Sequence, residues 1–124
     1  MSNAEAGDFR EIARGLGTVM RYASGDVLFR EGDEPVYMYF VLGGRVEMTS
    51  HGKFIETVEA GRALGTVSMV DKNPRSATAT VLEAAEVALI DQRKFRFMVE
   101  EIPGFCWFVM DVLVQRLRAT NEKL

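Results

Sequence analysis

One cysteine, Cys106, and one histidine, His51, stand in the 124 residues. A single thiol cannot close an internal disulfide, which excludes a disulfide-stapled secreted scaffold. A single imidazole cannot build a zinc finger or a multi-histidine centre, and no serine–histidine–acid arrangement is visible. Metal-dependent jelly-roll enzymes resembling cupins need several histidines and a carboxylate on the inner face, so no enzyme, cofactor or metal is expected. No apolar run approaches the roughly 20 residues that span a bilayer. Met1 to Asp8 lacks a basic stretch followed by an apolar one, so no secretory leader is read there. Basic residues are not in excess either: the net charge is −3, which disfavours nucleic acid as a partner. These absences predict a cytoplasmic protein without membrane or nucleic-acid contact within this chain.

What is present is an ordinary globular balance, 48% hydrophobic and 27% charged, enough for one domain over residues 9–121. Phe9, Ile12, Ala13 and Leu16 recur at helical spacing, with Asp8 placed to cap the helix and Gly17 to stop it. From about 19 to 90, short β-branched and aromatic runs alternate with glycine turns: Val27 to Phe29, Tyr37 to Leu42, Arg45 to Thr49, Phe54 to Val58, Thr78 to Leu82 and Val87 to Ile90. Such a series predicts an antiparallel sandwich, roll or barrel. Val46 and Met48 alternate with polar neighbours and predict a half-buried strand. The unbroken apolar run Tyr37 to Leu42 predicts one covered on both faces, its tyrosines presenting hydroxyls at an edge.

Helical periodicity returns over about 92–121. Phe95, Met98 and Val99 form one stripe, broken at Ile102-Pro103-Gly104. In the last helix Phe105, Phe108, Val109, Val112 and Leu113 can face the sheet, whereas Trp107, Met110, Val114 and Leu117 form a second stripe at spacings of three, four and three. A helix apolar nearly all round needs cover on more than one side. The coiled-coil spacing of the second stripe favours a partner helix, hence a homodimer, over a lid on a ligand.

The segment from Gly61 to Thr78 carries the chemistry. Glycines allow close backbone approach, and Val67 to Val70 fit one helical turn whose free N–H groups suit an anion. Pro74 then leads into Arg75 at the start of a strand, where a planar guanidinium matches a phosphate.

Three stretches together resemble the cyclic nucleotide-binding domain family of catabolite activator proteins, protein kinase A regulatory subunits and cyclic nucleotide-gated channels. These are Gly25 to Asp33, Tyr39 to Val46, and Leu64 to Thr78 with its Asn73-Pro74-Arg75-Ser76-Ala77-Thr78. The resemblance spans about residues 9 to 120. It implies a mainly β fold with flanking helices: a double-stranded β-helix, or jelly-roll-like β-roll, with one N-terminal and two C-terminal helices. It also implies a non-catalytic sensor of cAMP or cGMP that signals through the C-terminal helices. Arg75 matches the arginine that neutralises the cyclic phosphate. Leu64, Gly65, Thr66, Val67 and Ser68 match the segment lining the ribose-phosphate, and Pro74, Ser76 and Ala77 flank the arginine. Ser76 is placed to contact phosphate or base, and Ala77 to offer its N–H. The family reads Gly-Glu where this chain has Gly65-Thr66. Losing that acceptor for the ribose 2′-hydroxyl is expected to cost about 1.5–3 kcal/mol, tenfold to a hundredfold in affinity.

Other residues read more plainly. His51 falls in a solvated hairpin turn, Cys106 in buried helix packing, and Arg93, Lys94 and Arg96 on a solvated face. Asp26, Glu31, Asp33 and Glu34 form an exposed acidic rim, and Thr66 has no base to make it a nucleophile. Two alternatives stand beside the sensor: a degenerate domain that binds no nucleotide and serves dimerisation or protein interaction, and the sensor half of a larger transcription regulator.

Overall fold

A computed structural model describes residues 9–122, with side chains described to Arg118. In chain order the elements are α1 (Arg10–Leu16), β1 (Thr18–Tyr22), β2 (Val27–Phe29), β3 (Tyr37–Ser50), β4 (Lys53–Glu59), β5 (Ala63–Leu64), α2 (Thr66–Asp71), β6 (Thr78–Asp91), α3 (Gln92–Glu101) and α4 (Phe105–Glu122). All strand pairs are antiparallel. The sheet runs β1-β6-β3-β4, with β2 also on β6 and β5 also on β3. This is the mainly β roll with flanking helices expected from the sequence.

Two long strands replace four expected short ones. Gly43-Gly44 is not a turn between strands but an irregularity inside β3, and Glu83 to Glu86 lie inside β6. Pairing between β3 and β6 runs from Tyr37↔Asp91 to Thr49↔Thr78, with register shifts between Val41 and Val46. An extra residue on one strand flips the alternation of every side chain beyond it. Before the shift, Tyr39 and Val41 face the roll interior; beyond it, Val46 and Met48 do. Met38, Phe40 and Leu42 face the helices instead. The double-sided apolar run is thus covered twice, as its composition implies. Its tyrosines are not at an edge, because β3 lies inside the sheet: Tyr39 is buried and its hydroxyl donates to the Leu28 carbonyl at 3.4 Å. β1 and the two-residue β5 were not resolved as separate strands in the sequence pattern.

The second core joins α1, α3 and α4 to the outer face of β3 and β6. Phe9, Phe40, Phe95, Phe105 and Phe108 form one aromatic cluster, with Phe9 edge-on to Phe105 at 5.4 Å and Phe105 stacked on Phe108 at 5.7 Å. Edge-on and offset pairs of this kind add to simple burial. Phe9 holds the N-cap position of α1 with no side-chain cap; Asp8, expected there, lies outside the described residues. Gly17 ends the helix as expected, and a Cβ there would meet the Leu89 carbonyl at 2.7 Å. The expected break at Ile102 to Gly104 separates α3 from α4.

Along α4 the two stripes separate as the spacing predicts. Phe105, Phe108 and Val109 are buried, while Trp107 is 62% exposed and Leu117 60%. Cys106 is exposed rather than packed, since it sits one residue, about 100° of helix, round from Phe105.

Gly44 has φ +81, and a Cβ on it would lie 2.3 Å from the Ala84 carbonyl oxygen and 2.7 Å from the Ala85 Cα; Gly43 has open space. Gly44→Ala is expected to cost about 3 kcal/mol from left-handed strain and backbone overlap together. Gly43→Ala is expected to stay within about 1 kcal/mol of the parent. Thermal and urea unfolding of both variants checks this contrast, and equal effects would contradict it.

Candidate functional site

The Gly61 to Thr78 segment folds back on the mouth of the roll. β5 lays Ala63 and Leu64 against Phe40 and Tyr39 of β3. Gly65 then turns in the left-handed region at φ +77, which only glycine adopts cheaply. The expected helical turn forms as α2, and Lys72 closes it, also left-handed at φ +61. The Asn73 N–H donates to the Asp71 carboxylate at 2.9 Å, an Asx turn that redirects the chain before Pro74. Backbone bonds pin the next stretch to the β2–β3 loop: Arg75 N–H donates to the Asp33 carbonyl and Gly32 N–H to the Arg75 carbonyl, each at 2.8 Å. The expected strand start at Arg75 is corrected, since β6 begins at Thr78. These loop bonds occupy the backbone that would otherwise join the ladder.

The Arg75 side chain turns inward and is only 5% exposed. Nη1 donates to the Gly65 carbonyl at 3.1 Å, Nη2 to the Tyr37 carbonyl, and the guanidinium lies 4.2 Å from the centre of the Phe29 ring. Two carbonyls and a π face solvate the cation without neutralising it. Burial therefore holds its pKa below the usual arginine value, against the opposing pull of Tyr39 and Asp33. The Tyr39 hydroxyl is pushed up, mainly by burial. Two buried polar atoms on this site, Arg75 Nε and Thr66 Oγ1, have no hydrogen-bond partner. Buried polar groups are seldom left so, and both residues line the same cleft.

Of the expected site residues, the structure brings together Leu64, Gly65, Thr66, Val67, Ser68, Arg75, Ser76 and Ala77 around that cleft. Pro74 is exposed in the turn and does not line it. Sequence reasoning missed Phe29, Met48, Ala63, Val112 and Arg116, which complete the wall. Phe29 and Met48 were legible only as inward strand positions. Val112 and Arg116 lie four apart on α4, a helical spacing that shows a shared face but not what the face meets. The cleft is partly open to solvent, and its inner volume is about 30 Å³, room for little more than one water.

The lining carries two guanidinium groups, Arg75 and Arg116, and no carboxylate. Arg116 instead meets an acid at the rim: its Nη2 is 3.6 Å from Glu56 Oε2, and Arg62 Nη2 is 3.7 Å from Glu56 Oε1. A site with buried positive charge, unsatisfied donor and acceptor, and glycine-shaped backbone is suited to a small polar anion. Among the described residues, no group of three or more His, Cys, Asp or Glu side chains could hold a metal. The acidic rim does local work: Asp26 accepts the Ala23 N–H at 2.8 Å, Asp33 the Arg30 N–H at 3.0 Å, and Glu31 the His51 N–H at 2.7 Å. His51 is exposed in its turn, as expected.

Comparison with known proteins agrees with the fold. A catabolite activator protein from Thermus thermophilus superposes with a TM-score of 0.83 at 21% identity, over 99% of this chain and 58% of that one. At such identity the likeness is one of fold. The N-terminal domain of a transcriptional regulator from Streptomyces coelicolor A3(2) gives 0.68 at 26% identity, over 94% of this chain and 85% of that one. Among curated sequences, isozyme 1 of the cGMP-dependent protein kinase of Drosophila melanogaster is 29% identical over 97 residues, 77% of this chain and 12% of that protein. A Rap guanine nucleotide exchange factor 1 from Caenorhabditis elegans is 32% identical over 80 residues, 64% of this chain and 8% of that protein. The chain thus spans about a tenth of the length of these two relatives. The model of the cyclic nucleotide-binding domain matches residues 19–101, from β1 through α3 and including the whole Arg75 loop, and this chain belongs to that family.

Proposed function

We propose that the chain is a non-catalytic sensor module that binds cAMP or cGMP, with the cyclic phosphate on Arg75. The carrying observation is the buried Arg75 guanidinium, which has no carboxylate in its cleft and an unused Nε, inside the segment that matches the family. An anion arriving there supplies the missing countercharge. Gly65 and the first N–H groups of α2 would line the phosphate and ribose, with Ser76 and Ala77 on the opposite side. Thr66 stands where the family has glutamate, and its unpartnered Oγ1 is the acceptor this chain can offer to the ribose.

Output follows from volume. The cleft's inner volume, about 30 Å³, is small for a nucleotide, and α4, whose Val112 and Arg116 line it, is the wall that binding would shift. The exposed stripe of Trp107, Met110, Val114 and Leu117 on that same helix is the surface through which the movement would reach a second copy of the chain.

Calorimetric titration with cAMP and with cGMP is expected to show binding to the parent and loss of it in Arg75→Ala. No heat and no thermal shift at millimolar nucleotide would overturn the reading, leaving the protein-interaction alternative.

Thr66→Glu is expected to raise affinity about tenfold to a hundredfold by restoring a charged acceptor. An unchanged dissociation constant would show that the ribose does not lie against this residue.

Trp107→Ala combined with Val114→Asp is expected to convert a dimer to a monomer in sedimentation. A mass unaffected by the pair of substitutions would remove α4 as the interface.

A further inference from the structure

We propose that the groove between the β2–β3 loop, the end of α2 and the first turns of α3 is a docking surface for an acidic, partly apolar segment of a partner protein. Glu34, Pro35, Lys72, Gln92, Arg93 and Arg96 line it, and it opens to solvent with a volume of about 520 Å³. None of these residues lines the Arg75 cleft, so the proposal stands apart from the nucleotide reading. The walls are tied together. Gln92 Nε2 donates to Met69 Sδ at 3.6 Å, which joins α3 to α2. The Arg75 N–H donates to the Asp33 carbonyl at 2.8 Å, which anchors the loop just before Glu34. A groove fixed in this way needs little reordering when a partner arrives.

Charge sets the chemistry of the occupant. Three cations, Lys72, Arg93 and Arg96, stand against one acid, Glu34, in the lining. Elsewhere Arg14, Arg21, Arg45, Arg62 and Arg116 each meet a glutamate. Among the described residues, no salt bridge or hydrogen bond engages the side chains of Lys72, Arg93 or Arg96. The acids beside them in sequence are already used: Asp71 accepts the Asn73 N–H at 2.9 Å, and Asp91 the Lys94 N–H at 2.8 Å. Local stability does not favour these cations either. Arg93 and Arg96 lie three apart in the first turns of α3, where they repel each other and oppose the helix dipole. Lys72 closes α2 at φ +61, a conformation that glycine takes more cheaply. Carboxylates from a partner would offset the repulsion. The surroundings point to a polypeptide as their carrier. Val36, Val70 and Phe97, each within two residues of the lining in sequence, are exposed. Arginine beside exposed apolar side chains is the mixture found at protein interfaces. A small-molecule site would instead enclose its ligand, and the net charge of −3 opposes a nucleic-acid backbone.

The probe is a short peptide alternating glutamate with leucine, titrated into the isotope-labelled full chain, with amide shifts in two-dimensional NMR locating and quantifying its binding. Shifts are expected at residues 34–36, 70–72 and 92–97. The same peptide with glutamine in place of glutamate is expected to bind about tenfold more weakly. Arg93→Glu combined with Arg96→Glu is expected to weaken the acidic peptide about tenfold, and Glu34→Gln to tighten it about twofold. The amide spectrum of each variant shows at the same time that it is folded. The substituted residues lie outside the Arg75 cleft, so titrations with cAMP and cGMP are expected to be the same in parent and double variant, and the two readings fail separately. An acidic peptide that shifts no amide at millimolar concentration, or binds no better than its glutamine counterpart, would overturn the proposal. So would tighter binding of a single-stranded oligonucleotide in the groove, which would make it a nucleic-acid site. A sedimentation mass of the protein alone that falls in the double variant would overturn it in favour of a second copy of this chain.

Discussion

The pairing of β3 with β6 is the constraint on which the rest of the structure depends. Each strand is fourteen residues long, far beyond the usual strand length, and such a length stays within a small domain only by curling. The shift at Gly43-Gly44 makes this possible and changes which side chains look inward. On one side of the ladder Tyr39, Val41, Val46, Met48, Val81 and Val87 fill the roll; on the other, Met38, Phe40, Ala88 and Ile90 receive the helices. Two cores thus share one sheet, with side chains of the outer face alternating with those lining the inner one.

The candidate site lies where the roll and the helical layer meet. Arg75 is bound by the carbonyls of Gly65 and Tyr37 and so ties the Gly65 turn to the start of β3. Gly65 is constrained twice, by its positive φ and by the guanidinium 2.6 Å from where a Cβ would stand. Burying the cation without a carboxylate sacrifices stability. In return the cleft keeps a charge that the proposed ligand would meet, beside the unsatisfied Thr66 hydroxyl. Local satisfaction is forgone at two residues of the proposed site.

Much of this was legible in the residues. Period-two alternation marked Val46 and Met48, helical spacing marked both stripes of α4, and Ile102-Pro103-Gly104 marked the break before it. The cassette stood out by its resemblance to the family, since a glycine turn followed by an arginine on a loop is by itself common. Less legible was continuity. Gly43-Gly44 looks like a turn because glycine is the residue of turns and bulges alike, and only the partner strand decides between them. Cys106 looked buried because its neighbours Phe105 and Trp107 are apolar, but a helix sends consecutive residues about 100° apart.

The sequence by itself determined the local devices: where the chain bends, which faces are apolar, and that one arginine follows a glycine-bearing turn in a segment that resembles the family. These depend on backbone stereochemistry and periodicity, which act over a few residues. Tertiary structure alone decided that Phe29, Met48, Val112 and Arg116, drawn from three distant elements, close around that arginine, and that Glu56 stands across from Met48 within reach of α4. Those relations rest on strand register and helix docking, and both are set by contacts between residues far apart in the chain.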